Sequence, residues 1–355
     1  MSRFFSDKYK SLVPYTPGEQ PKDMQYIKLN TNESPFPPSV KAMEEAAAAA
    51  KQLHLYPDPE CSLLHEKLAA LYGVDKACVL AGNGSDESLN FAFMAFCDEE
   101  HPAIFPDITY GFYKVFAALN HVPFTEVPLK EDFTVDIRDY FGTGKTVFIA
   151  NPNAPTGIAL SLDQIEEIVK NNPENVVVID EAYVDFGAES AVPLTKKYDN
   201  LLVTQTFSKS RSMAGARLGV AIGCPDLIRD LNTVKYSTNP YNINRMTMAA
   251  GLGVLADEAY TRANCRAVTE NRAYAAKRMQ DMGFTMTDSQ ANFLFAKHAK
   301  IGGKALYTAL RERGILVRHF DTPRLRDYNR ITVGSHAQMV TLCDTLEQIL
   351  KENEQ

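Results

Sequence analysis

At 355 residues the chain exceeds the roughly 100–200 residues of one ordinary domain, which points to two. Its 45% hydrophobic and 23% charged content is that of a globular protein, and a net charge of −7 argues against a nucleic-acid-binding face. No stretch approaches the ~20 apolar residues of a membrane span, and the start Met1-Ser2-Arg3-Phe4-Phe5 lacks a signal-peptide apolar core.

The first forty residues, rich in Pro, Asn and Ser, read as an extended arm, and Glu44–Lys51, with its five alanines, reads as helix. From about residue 77 short β-rich runs recur: Ala77–Leu80, Ala103–Phe105, Pro123–Val127, Thr146–Ala150, Val176–Asp180, Leu201–Gln205 and Leu218–Ile222. Between them Asp86–Cys97, Tyr110–Leu119, Leu162–Asn171 and Asp226–Lys235 carry helical spacing or fill helix-length gaps, and Ser161 with Gln164 forms a capping box. The run Val176-Val177-Val178-Ile179 has no polar alternation, so its strand is covered on both faces, as in a mostly parallel, doubly wound α/β sheet. A longer helical tract begins near Asn244. Strands at Asn292–Ala296, Ile315–Arg318 and Arg330–Val333, a helix around Lys304–Arg313 and a closing helix follow. The expected organisation is an arm over 1–45, a large domain over 46–245 and a smaller α+β domain over 246–355 to which the arm packs.

The six cysteines are scattered without CxxC pairs and the seven histidines without HExxH spacing. Buried free thiols in a reducing cytoplasm are therefore expected, and no metal site.

Ligands of open α/β sheets bind beyond the carboxyl ends of the strands. After the first strand, Ala81-Gly82-Asn83-Gly84-Ser85-Asp86-Glu87 is a glycine turn opening a helix, which is either an anion nest or simply a tight turn with a helix cap. Glu87 occupies the third glycine of a dinucleotide fingerprint, so that fingerprint fails. Asn151-Pro152-Asn153-Ala154-Pro155-Thr156-Gly157 is stiffened by two prolines; Asn153 is held either as a donor to a phenolate-like oxygen or as an ordinary turn residue. Asp180 ends an apolar run where an unpaired carboxylate is costly, so it needs a cation, either a side chain or a protonated pyridine nitrogen; Glu181, Ala182 and Tyr183 follow. Lys209 follows the strand Leu201–Gln205, with Thr206 and Ser208 three and one residues before it and Arg217 eight after. Alone it reads as a solvated charge; with the other strand ends it completes what a pyridoxal phosphate site requires.

This order and spacing resembles the fold-type I pyridoxal-phosphate aminotransferases over nearly the whole chain, and within them the histidinol-phosphate branch. The resemblance is carried by Leu29–Pro35, Tyr56-Pro57-Asp58-Pro59, Gly84–Glu87, Asn151–Gly157, Asp180–Tyr183, Ser208-Lys209 with Arg217, Asn239-Pro240-Tyr241-Asn242, and Gly314–Arg318 followed by Arg330–Gly334. It implies pyridoxal 5′-phosphate as cofactor, Lys209 as its covalent anchor and proton carrier, Asp180 at the pyridine nitrogen, Tyr183 and Asn153 at the 3′-oxygen, and Tyr110 stacked on the ring. Gly84, Ser85, Asp86, Thr206, Ser208 and Arg217 would hold the phosphate. Tyr56 would reach the cofactor phosphate of the neighbouring subunit, so a homodimer with shared sites is implied. Arg330 would clamp an α-carboxylate and Arg318 a substrate phosphate, with Tyr15 and Asn242 lining the substrate pocket. Ala154 departs from the family pattern, where a second asparagine is common, and Asn329 where an apolar residue is common. The implied reaction moves the amino group of L-histidinol phosphate to 2-oxoglutarate. A threonine-phosphate decarboxylase and a broad or aromatic aminotransferase are the alternatives.

Overall fold

The computed structural model describes residues 2–353; Met1, Glu354 and Gln355, at the outer ends of the first and last expected segments, lie outside them. In chain order the strands and α-helices are β1 (Ile27–Lys28), α1 (Val40–Ala50), α2 (Ser62–Tyr72), β2 (Val79–Gly82), α3 (Ser85–Phe96), β3 (Ala103–Pro106), α4 (Phe112–Asn120), β4 (Phe124–Val127), β5 (Thr146–Ala150), α5 (Leu162–Lys170), β6 (Val177–Asp180), β7 (Leu201–Thr206) and β8 (Gly219–Ile222). Then come α6 (Pro225–Thr238), α7 (Arg245–Leu255), α8 (Glu258–Asp281), β9 (Phe284–Met286), β10 (Phe293–His298), α9 (Gly303–Glu312), β11 (Ile315–Leu316), β12 (Arg318–His319), β13 (Tyr328–Thr332) and α10 (His336–Asn353).

Seven strands form one sheet in the order β2-β8-β7-β6-β5-β3-β4, parallel except for β8, which is antiparallel to both its neighbours. The apolar runs are buried on both faces. In β5, Val147 and Ile149 enter the core beneath α2 and α5, whereas Phe148 and Ala150 enter the opposite core with α3, α4 and α6. β6, β7 and β8 divide their side chains in the same way, as a strand period of two requires. This is the α/β, doubly wound, mostly parallel sheet expected from the pattern. β4 is an edge strand and alternates between exposed and half-buried residues. The capping box of Ser161 and Gln164 is formed at the start of α5.

A second core gathers α8, α9, α10 and a four-stranded antiparallel sheet, β12-β13-β10-β9. The N-terminal arm joins it through β1, which pairs in parallel with β11. The expected single strand Ile315–Arg318 is two: Ile315 and Leu316 pair with the arm, and Arg318 and His319 turn to pair with β13. The helical tract near Asn244 is likewise two helices, because Asp257 has a non-helical backbone (φ −135°, ψ 52°). Three of these strands and helices went unpredicted, the two-residue β1 of the arm among them. β9 is only three residues long, and α2 is signalled by Leu64 and Leu68 four residues apart and by Gly73, left-handed at φ 63°, where it stops.

Candidate active site

Sheet register brings the functional residues together. Ala150 pairs with Asp180, Asp180 with Thr204, and Thr206 and Gly82 both pair with Gly219. The carboxyl ends of β5, β6, β7 and β2 thus meet the start of β8 along one edge. A cavity of ≈ 320 Å³ opens there, within the roughly 300–1,000 Å³ of small-molecule sites. Asp180, Tyr183, Tyr110, Ser85, Asp86, Thr206, Ser208, Lys209 and Arg217 all line it.

Lys209 lines this cavity with its amine buried. Its Nζ donates to the Thr31 carbonyl at 3.2 Å and lies 6.0 Å from the centre of the Tyr183 ring. Burial, helped by the positive charge of Arg330, brings its amine down to about 8. A substantial neutral fraction therefore exists near neutrality, and only a neutral amine attacks an aldehyde.

Asp180 stands at the other end, buried to 4% exposure. Among the described residues no cationic side chain pairs with it; its carboxylate accepts from the Tyr113 hydroxyl at 3.1 Å and the Thr204 hydroxyl at 3.2 Å. Burial raises it to about 7, with the Tyr113 bond opposing. A buried carboxylate with neutral donors and no counter-ion is complementary to a protonated heterocyclic nitrogen.

The third side is an anion cradle. Helix α3 starts at Ser85 behind Gly84 (φ 77°) with no side-chain cap, so its first N–H groups remain available to a ligand. Both flanking glycines are required. A Cβ on Gly84 would sit 2.6 Å from the Arg217 guanidinium, and one on Gly219 2.3 Å from the Ser85 nitrogen. Arg217 pairs with Asp86 at 3.0 Å, and Asp86 also accepts from the Tyr110 hydroxyl at 2.6 Å. Thr206 donates to Ser208, both facing the cavity. An elongated ligand with an anion at one end, a basic ring nitrogen at the other and an aldehyde between them fits these groups. Pyridoxal phosphate has that layout.

A larger neighbouring cavity, ≈ 850 Å³, shares Lys209, Tyr183, Tyr110 and Thr31 and adds Tyr15, Arg318 and Arg330. Arg330, on β13, donates to the Asn30 carbonyl at 3.1 Å and stacks over Phe293 and Phe320, while its Nε has no partner. Arg318 donates only to the carbonyls of Thr16 and Pro17. Neither guanidinium has an acidic partner among the described residues, so two positive charges face the cavity uncompensated. Tyr15 stacks on Phe112 at 4.3 Å beside them.

Two expected site residues lie elsewhere. Asn153 turns toward the segment after β3: its NH2 donates to the Ile108 carbonyl and the Thr156 hydroxyl, and its oxygen accepts from Thr109. The methyl of Ala154 faces the cavity instead. Asn242 is buried behind the glycine turn, donating to Glu87 at 2.5 Å and accepting from Asn83 through its carbonyl, so it braces the turn. Tyr56, expected at the neighbouring subunit's site, is 77% exposed, stacks on Tyr241 and lines neither of these two cavities. Conversely Tyr113, which holds Asp180, was not anticipated, because a tyrosine inside an amphipathic helix gives no sign of a polar partner.

The chain belongs to the class I and II aminotransferases, whose family model matches residues 24–346. Within them it falls among the histidinol-phosphate aminotransferases: the curated protein of that name from Brachyspira hyodysenteriae is 49% identical over 99% of this chain and 100% of its own length. The crystal structure of histidinol-phosphate aminotransferase from Sinorhizobium meliloti in complex with pyridoxal-5′-phosphate superposes with a TM-score of 0.88 at 22% identity, covering 99% of each chain. L-threonine-O-3-phosphate decarboxylase from Porphyromonas gingivalis has the same fold, with a TM-score of 0.79 at 21% identity over 92% of this chain and 99% of its own. Fold alone therefore does not separate the two activities.

Proposed function

We propose that the protein is a pyridoxal-phosphate-dependent aminotransferase that converts L-histidinol phosphate and 2-oxoglutarate to imidazole-acetol phosphate and glutamate by a ping-pong route. The observation that carries it is Lys209, held in one cavity between the counter-ion-free carboxylate of Asp180 and the anion cradle of α3, Gly84 and Arg217. When bound, pyridoxal phosphate supplies an electron-withdrawing ring conjugated to the nitrogen of the substrate amine, which acidifies the substrate Cα–H.

The chain's part is to bind, orient and move protons. Lys209 would hold the cofactor through its aldehyde carbon, and its neutral amine would serve as the base and acid that moves a proton at the substrate Cα. Asp180 keeps the ring nitrogen protonated, and Tyr183 donates to the 3′-oxygen. The α3 N-terminus, Thr206, Ser208 and Arg217 hold the phosphate, for which a planar guanidinium fork is well suited. Tyr110 covers the ring. Arg330 takes the carboxylate of glutamate, and Arg318 with Tyr15 takes the phosphate of histidinol phosphate. Segments 1–45, 46–245 and 246–355 serve as arm, cofactor domain and substrate domain. The enzyme works as a homodimer in the cytoplasm, each Tyr56 completing the phosphate site of its partner. The exposed apolar side chains of Leu53, Leu55, Tyr56 and Tyr241 support such an interface.

Turnover with L-histidinol phosphate, phenylalanine and threonine phosphate tests the substrate. Histidinol phosphate should be preferred, with strict dependence on 2-oxoglutarate. Arg318→Ala should raise its KM by roughly 10–100-fold, the worth of a charge-assisted hydrogen bond, and leave phenylalanine turnover unchanged. Release of carbon dioxide from threonine phosphate without 2-oxoglutarate would contradict the assignment.

A further inference from the structure

We infer that Asn32, on the N-terminal arm, is a positioning residue for Tyr183: its amide fixes the phenol so that the hydroxyl proton points into the cofactor cavity. The inference rests on the pyridoxal-phosphate reading of that cavity and deepens it.

The departure at Ala154 makes this contact matter. Asn153 spends its amide protons on the Ile108 carbonyl and the Thr156 hydroxyl, and the residue facing the cavity there is an alanine. Of the other polar groups beside Lys209, the Thr31 hydroxyl is committed to Glu33 at 2.8 Å and Glu33 itself is paired with Lys28 at 2.7 Å. Tyr183 is left as the neutral hydroxyl donor at that end of the cavity.

Its direction is set by a chain of hydrogen bonds. The Asn32 N–H donates to Thr332 Oγ1 at 2.9 Å, so the Thr332 proton is free to go to Asn32 Oδ1, 3.1 Å away. The Asn32 oxygen is thereby assigned to Thr332, and its NH2 must face the Tyr183 hydroxyl, 3.0 Å away. Tyr183 accepts that bond, which leaves its own proton for the cavity. Asn32 is held on its remaining side by Asn292, which donates to its carbonyl at 3.0 Å. Its backbone is left-handed at φ 57°, a conformation asparagine tolerates better than most residues. Thr332 lies two residues beyond Arg330 on β13, so one strand seats both the substrate-facing guanidinium and the asparagine that aims the phenol.

A phenol that donates to the 3′-oxygen stabilises its anionic form; an unaimed one does so less well. The test is a pH titration of the visible absorption band of the holoenzyme, read without substrate. Asn32→Gly deletes the amide and suits the left-handed backbone. It should raise the midpoint by about one pH unit, the scale of one hydrogen bond to a charged group. Asn32→Asp, of equal shape but without the donor, should shift it the same way and serves should the glycine variant fold poorly. In a Tyr183→Phe background either change should leave the midpoint where Tyr183→Phe alone puts it. Ala154→Asn should lower the raised midpoint of Asn32→Gly by supplying a second donor. An unshifted midpoint in holoenzyme carrying either Asn32 variant, or a full shift retained on Tyr183→Phe, would overturn the inference. A wild-type protein that shows no visible band with the cofactor would instead overturn the reading on which it rests.

Discussion

Burial acts on the carboxylate and the amine of the cofactor cavity in the same direction, toward neutrality, by raising Asp180 to about 7 and lowering Lys209 to about 8. For Asp180 the folded value exceeds the ordinary 3.8, so its ionisation costs the folded cofactor-free protein stability; the penalty is absent below pH 4 and complete above about 7. Asp180→Asn removes it. The cofactor-free variant should gain stability over the parent as pH rises through that window, reaching about 2–4 kcal/mol by pH 8, measurable by denaturant unfolding at pH 4, 6 and 8. The same change should reduce turnover severely, because an amide cannot balance a protonated ring nitrogen. Equal stability of parent and variant at all three values would contradict the burial argument. At this scale the sequence made Asp180 legible because it ends an apolar strand where an unpaired carboxylate is costly, and Lys209 and Arg217 legible by their spacing after the next strand together with the other strand ends. Asn153 was misread. Two prolines fix its loop, but which of two adjacent side chains faces the cavity depends on backbone direction, which spacing does not encode.

The cradle is a property of elements, made by the junction of β2, β8 and α3. Gly219 begins β8 with its Cα against the Gly84–Ser85 backbone, so the strand and the helix N-terminus approach as closely as they do only because no side chain intervenes. Gly219→Ala should push them apart and disturb the α3 N–H groups. A cost of about 1–3 kcal/mol for such overpacking corresponds to a roughly 5–150-fold weaker cofactor affinity, measured by titrating the cofactor-free protein. Far-ultraviolet circular dichroism should be unchanged. Unaltered affinity would mean that the close approach has no bearing on the site. The central strands were legible because each is buried on both faces and continuously apolar. The strands missed or merged were those whose identity depends on pairing. β9 is too short to show a period, and Ile315–Arg318 reads as one strand until two different partners divide it.

For the whole molecule, the arm, the cofactor sheet and the second core meet at one place: Thr31 and Asn32 from the arm, Lys209 and Tyr183 from the sheet, Arg330 and Thr332 from β13. If Tyr56 completes the site of a second copy, active sites are shared between chains. Mixing and reassociating Lys209→Ala with Tyr56→Ala, each inactive or impaired alone, should then restore roughly one quarter of wild-type activity, since half the dimers are hybrids with one intact site of two. Failure of the mixture to exceed the sum of its components would exclude shared sites. The most direct test of the central claim is the isolated half-reaction. Holoenzyme mixed with L-histidinol phosphate alone should lose its visible band with one imidazole-acetol phosphate formed per site, 2-oxoglutarate should then restore the band as glutamate appears, and Lys209→Ala should do neither. A band that histidinol phosphate leaves unchanged, or a Lys209→Ala protein that completes the cycle, would contradict the account.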